Sequence, residues 1–154
     1  MADYKQPINM QPQGTAPMQV GGNRNAQNCT VGADGKRDWS FGLFDCFARC
    51  GLCCASVWCP CVVYSKNKQR MHSLQAQGTR LVGDGDTFDS NCCIYCVLGN
   101  CSWVLQIRTR EETRERYGIR GDGLGDCFAS WCCRPCALTQ ERREIELEEN
   151  SFSA

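Results

Sequence analysis

Two uncharged stretches, residues 50–65 and 90–107, interrupt an otherwise polar chain, and each gives way abruptly to charge. Into the first run cysteines 46, 50, 53 and 54, the i, i+4, i+7 and i+8 spacing that shares one face of a helix. A helix carrying a stripe of sulfur is predicted. Pro60 lacks an amide donor and disfavours helical geometry at the residue before it, so that helix is expected to end there and leave Cys59 and Cys61 on an irregular turn. As a single helix, Ser90 to Ile107 would extend ~27 Å, just short of a hydrocarbon thickness of ~30 Å. Asn91, Asn100 and Gln106 weaken it as a span. A tilted span, a shallow hairpin with the first stretch and a core helix of a soluble fold all fit it.

The polar stretches read as follows. Arg108 with Glu112 and Glu112 with Arg116 are i, i+4 pairs that predict an exposed helix, and Gly118 is a natural cap for it. Gly121, Gly123 and Gly125 read as a flexible link, since they lack the strand context of a phosphate-binding loop. Leu138, Ile145 and Leu147 give a last helix a thin apolar edge that packs on the domain. Residues 1–37, rich in Gln, Asn, Gly and Pro, cannot repay the entropy of ordering and are expected to be a disordered tail. The expected organisation is thus a mostly α, small cysteine-rich helical domain over residues 38–148 with two short hydrophobic segments, followed by a short tail at 149–154.

Charge excludes more than it suggests. Seventeen basic and seventeen acidic residues cancel, which points to no nucleic-acid partner. Lys66, Lys68, Arg70 and Arg80 are a local basic run, compatible with anionic lipid headgroups or with a solvated helix. Asp84 begins what resembles a calcium loop, but its twelfth position is Tyr95, where a bidentate Glu is required, so the segment is read as a turn. The one histidine, His72, sits in the basic run with no paired acids near a nucleophile, and the chain is read as no enzyme.

Fifteen cysteines dominate the chemistry. Met1 to Gly22 shows no basic-then-apolar secretory pattern, so a cytosol-facing chain with reduced thiols is expected, and the odd count prevents complete pairing. Thiolates favour soft metals such as zinc or cadmium. Cys53, Cys54, Cys59 and Cys61 are the leading candidate ligands, joined by Cys133 and Cys136 at C-x-x-C spacing, which Cys50 with Cys53 and Cys93 with Cys96 repeat; Cys132 completes the set. A competing reading acylates the adjacent pairs Cys53–Cys54, Cys92–Cys93 and Cys132–Cys133 at membrane boundaries. Cys46 and Cys101 are expected to be buried apolar residues, and Cys29 a free exposed thiol.

Cys53 Cys54 followed by Cys59 Pro60 Cys61, then Tyr117 Gly118 Ile119, and Asp126 Cys127 through Cys132 Cys133 Arg134 Pro135 Cys136 Ala137 Leu138 with Gln140 Glu141 Arg142 Arg143 Glu144, resemble the placenta-specific-eight family over residues 38–148. Thr139 departs from it, standing where relatives commonly place another cysteine. The resemblance implies a membrane-associated, non-enzymatic, often self-associating protein, here placed at the plasma membrane with cytosol-exposed parts. It further implies handling of divalent heavy metal (zinc or cadmium) and metal tolerance. The alternative is a regulatory or scaffold protein with structural zinc or acylated cysteines.

Overall fold

Three times along the chain a short apolar helix meets a break and is followed by a longer helix that starts apolar and turns charged. The computed structural model describes residues 22–152. Among these residues there are six α-helices, α1 (Cys50–Trp58), α2 (Pro60–Ala76), α3 (Ser90–Leu98), α4 (Trp103–Tyr117), α5 (Gly123–Cys132) and α6 (Arg134–Ser151). Extended pairing among them is confined to two isolated bridges, Val31 with Arg37 and Arg37 with Ile119. The fold is mostly helical.

The breaks follow from local chemistry. Cys59 (φ −133°, ψ 61°) and Cys133 (φ −138°, ψ 72°) are non-helical residues after which Pro60 and Pro135 sit in the first turn of the next helix, where a missing N–H costs nothing. Cys61 therefore lies on the first turn of α2, not on the irregular turn expected of it. Between α1 and α2 the chain bends by 111°. The expected helix Ser90–Ile107 is broken at Gly99, whose φ of +47° only glycine adopts without cost, and a 3₁₀ turn, Gly99–Ser102, leads into α4. Cys101 rides this turn outward and is exposed, against the burial expected of it. Among the described residues no single helix is long and apolar enough to cross a membrane; the pair Asp45–Trp58 and Pro60–Ala76 passes by composition and length only as a bent unit.

The predicted sulfur stripe is divided. Asp45–Arg49 winds as a 3₁₀ helix at ~3 residues per turn, and Arg49 (φ −124°, ψ 64°) interrupts it before α1 begins. The change in pitch turns Cys46 into the interior while Cys50 and Cys54 face outward and Cys53 is half-buried. The glycine link is also shorter than expected: Asp122 Oδ1 accepts from the Gly125 amide at 3.2 Å and caps α5, which starts at Gly123.

The largest correction concerns 108–117, predicted as a solvated helix. In α4, Thr109, Arg110, Thr113, Arg114 and Tyr117 are buried, because other helices supply carboxylates to its cations. Arg114 Nε donates to Asp126 Oδ2 of α5 at 2.6 Å, Arg110 Nε lies 3.1 Å from Asp126 Oδ1, and Arg116 Nε donates to Glu148 Oε2 of α6 at 2.9 Å. Tyr117 OH donates to the same Glu148 at 2.8 Å, and burial, reinforced by that carboxylate, pushes the phenol well above its ordinary range. The basic run 66–70 is paired too: Lys66 and Arg70 with Asp84, Arg70 with Glu149, and Lys68 with Glu112.

Residues 1–21 and 153–154, with most of the expected tail, lie outside the described residues. From Gly22 onward the chain packs on the helices. Arg37 is buried and donates to Glu144 at 3.0 Å, and Ser40 donates to that carboxylate through its amide at 2.6 Å and its hydroxyl at 3.0 Å. Cys29 is half-buried, with its sulfur 3.8 Å from Ser40 Oγ. Helix α6 runs to Ser151 with Glu148 and Glu149 buried, and around it lie two apolar clusters. One is Met71, Leu74, Tyr117, Ile119 and Ile145; the other is Val63, Tyr64, Tyr95 and Leu138.

The outside is unusually apolar. Helix α1 ends in Val57 and Trp58, α3 in Val97 and Leu98, and α5 in Trp131, all exposed, with Trp58 84 % and Val97 86 % open. Buried charged side chains such as Arg110, Glu141 and Glu148, and exposed aromatic ones such as Trp58 and Trp131, each run against what water ordinarily selects.

Candidate metal centre

Helices α2 and α3 bring three sulfurs together. Cys92 and Cys96 stand one turn apart on α3, and Cys61 faces them from the first turn of α2; the three Sγ atoms all lie within 4.8 Å of one another. Two devices hold the helices in this register. Asp89 caps α3 by accepting from the Cys92 amide at 2.9 Å and also accepts from the Ser65 hydroxyl of α2 at 2.5 Å. One turn after Cys61, Tyr64 packs its ring on Tyr95, between the two α3 cysteines, at a centroid distance of 4.8 Å.

The donor set fits a soft cation. With Zn–S near ~2.3 Å, tetrahedral sulfurs stand ~3.8 Å apart, so side-chain rotation of about an ångström closes three vertices. A fourth vertex is left to a water, a neighbouring thiol or an incoming ligand. Cys92 is buried, Cys61 half-buried and Cys96 exposed, which grades the site from interior to surface. Burial pushes the Cys92 thiol up to about 12, with the hydrogen bond to Cys61 adding to it, and the hydrogen bond to Cys61 also raises Cys96. Without a cation these groups hold their protons; a divalent ion reverses that balance and displaces them.

The other predicted ligands lie outside the triad. Cys50, Cys54, Cys59, Cys93 and Cys132 are exposed, and Cys50 Sγ donates to the Phe47 carbonyl at 3.0 Å. Cys53 is half-buried beside Cys46. Cys133 and Cys136 are joined in a disulfide, a state in which neither offers a thiolate. Of the predicted set the triad thus unites only Cys61 and Cys96. Its third member, Cys92, belongs to a pair expected to be acylated; the i, i+4 spacing of Cys92 and Cys96 is the signal in the sequence, masked by the C-x-x-C spacing of Cys93 and Cys96, which on a helix aims less squarely at one neighbour. Thr139, at the departing position, is buried with its Oγ1 3.4 Å from Ser56 Oγ.

Comparison with known proteins bears on the same segment. The PLAC8 family model matches residues 39–144. Cell number regulator 10 of Zea mays is 32 % identical over 110 residues, covering 70 % of this chain and 64 % of that protein. Protein plant cadmium resistance 2 of Arabidopsis thaliana is 30 % identical over 120 residues, covering 78 % of this chain and 74 % of the relative. Protein plant cadmium resistance 1 of the same plant is 31 % identical over 115 residues, 70 % of this chain and 67 % of the relative. The chain therefore spans less than two thirds of the maize regulator and more of the two resistance proteins. No solved structure matches. With the matched segment running from Trp39 through every cysteine block to Glu144 in α6, the chain belongs to the PLAC8 family.

Proposed function

We propose that this protein binds soft divalent metal, zinc or cadmium, through Cys61, Cys92 and Cys96 at a membrane surface, and that it supports metal tolerance without catalysing a reaction. The observation that carries the reading is the convergence of three sulfurs from two helices within 4.8 Å. Three protein ligands with an open vertex suit an exchangeable ion better than a closed structural one. The names of the Arabidopsis relatives, plant cadmium resistance, point the same way.

Membrane attachment follows from the exposed apolar surface. Trp58, Val97 and Trp131 stand exposed at or near the ends of α1, α3 and α5, and between α1 and α2 the chain bends by 111°, which suits short helices dipping into the lipid as shallow units. Exposed Cys54, Cys59, Cys93 and Cys132 stand on or beside these helices, where acyl chains would deepen the anchor. Self-association is compatible with the same apolar rim.

The test is metal titration of reduced protein in detergent, against the Cys61→Ser and Cys92→Ser variants, together with growth of cells expressing each on cadmium. Loss of one metal equivalent with retained helicity, and loss of tolerance, is expected. If the variants bind and protect like the parent, the reading fails. If removing metal unfolds the protein, structural zinc in a regulator, the role the maize names suggest, replaces it.

A further inference from the structure

A second group of sulfurs sits away from the triad and shares no residue with it. Cys46 comes from the 3₁₀ turn Asp45–Arg49, Cys53 from α1, Cys133 from the break before α6 and Cys136 from the first turn of α6. Cys46 and Cys136 are both at least 95 % buried, and their sulfurs are 3.3 Å apart. Cys136 is bonded to Cys133, and Cys53 lies beside Cys46, so the four cysteines neighbour one another in a chain. The local design matches that at Cys61: a non-helical cysteine, a proline in the first helical turn, then a cysteine on that turn. A sulfur there faces the free amides and positive end of the helix dipole, which lowers the cost of a thiolate.

We infer that Cys46, Cys53, Cys133 and Cys136 form a second, redox-gated tetrathiolate site that takes one zinc-like ion only when the Cys133–Cys136 disulfide is reduced. Opening it consumes one dithiol reductant: the reductant's two thiols become its own disulfide, its two electrons cleave the S–S bond, and its two protons end on Cys133 and Cys136. A divalent cation then binds four thiols and releases their protons as the thiolates form. The 3.3 Å between the Cys46 and Cys136 sulfurs is already shorter than the ~3.8 Å edge of a zinc tetrathiolate, so these two need only spread slightly once Cys136 is freed. Four ligands from three elements close the tetrahedron, which makes this ion structural where the triad's is exchangeable. It would clasp the 3₁₀ turn and α1 to the start of α6.

The experiment uses the full chain in detergent, untreated or reduced with a phosphine that is then removed, titrated with Co²⁺ as the probe and trapped with N-ethylmaleimide for mass-spectrometric mapping. Two equivalents are expected after reduction and one before it. The added equivalent should carry the thiolate-to-cobalt absorption of a tetrahedral site and slow alkylation of Cys46, Cys53, Cys133 and Cys136 at least tenfold. Cys46→Ser should lose this equivalent and keep the one that protects Cys61, Cys92 and Cys96. The proposal is overturned if reduction adds no equivalent, or if metal leaves alkylation of the four unchanged. Should Cys46→Ser not fold, the wild-type protection pattern decides. Protection of these four without protection of Cys61, Cys92 and Cys96 would uphold this site and sink the proposed function, so the two readings fail separately.

Discussion

Glu141→Gln tests how this interior tolerates charge. Glu141 is fully enclosed on α6, neither carboxyl oxygen has a hydrogen bond of good geometry, and Arg110 Nη1 lies 3.8 Å away. Burial lifts its pKa from 4.5 to about 8, with Arg110 pulling the other way. Below 4.5 both folded and unfolded chains hold the proton; between 4.5 and about 8 only the folded chain does; above 8 neither does. Stability from this group is therefore full at acid pH and drains away as pH rises toward 8, at ~1.4 kcal/mol per unit, or about 3 kcal/mol lost by pH ~7. Glutamine keeps the neutral acid's shape and has no proton to lose. Since the side chain is already neutral at pH ~7, the substitution takes no ionic partner from Arg110, which retains Asp126 at 3.1 Å. Water penetration reduces the gain, so the variant should be more stable by ~1–3 kcal/mol at pH ~7 and equal to the parent below pH ~5. Urea unfolding in mild detergent, followed by far-ultraviolet circular dichroism at several pH values, measures it. Parallel parent and variant curves from pH ~5 to ~8 refute the reasoning, because they mean the buried carboxyl is ionised throughout.

Three other outcomes are expected. Metal affinity of the triad should rise at least ~100-fold per pH unit between pH ~6 and ~8, because Cys92 and Cys96, both raised, must each give up a proton; a competition titration with a slope below two in log units contradicts this. Asp126→Ala should destabilise the fold by ~3–5 kcal/mol, since it strands the buried Arg110 and Arg114 without their shared carboxylate; a denaturation midpoint within error of the parent would overturn that assignment. Trp58→Asp together with Trp131→Asp should release the protein from lipid vesicles in a flotation assay while leaving its helicity intact, and unchanged flotation counts against shallow insertion.

Much of the secondary structure was legible because its causes are local. Pro60 and Pro135 mark helix starts, and Gly118, at φ +60°, caps α4 as its position predicts. The sulfur stripe was misread because hydrophobic periodicity assumes one pitch, whereas a 3₁₀ turn and the Arg49 break rotate Cys46 away from Cys50 and Cys54. The charged helix 108–117 was misread for a different reason. A row of i, i+4 pairs has the same pattern whether its partners are on its own face or on another helix, and here Asp126 and Glu148 win. The triad was half visible: cysteine abundance announced sulfur chemistry, and Cys61 and Cys96 were among the candidates.

The sequence by itself determined the helical class, the places where helices break and the family, all of which rest on short-range dihedral preferences and on motifs read within a few residues. Only the tertiary structure decided that charges go inward, that Trp58 and Trp131 go outward, and that Cys92 rather than Cys93 turns toward Cys61. Those outcomes depend on which helices pack, because a buried guanidinium is tolerable only where a distant carboxylate meets it and a metal site exists only where sulfurs from separate helices converge.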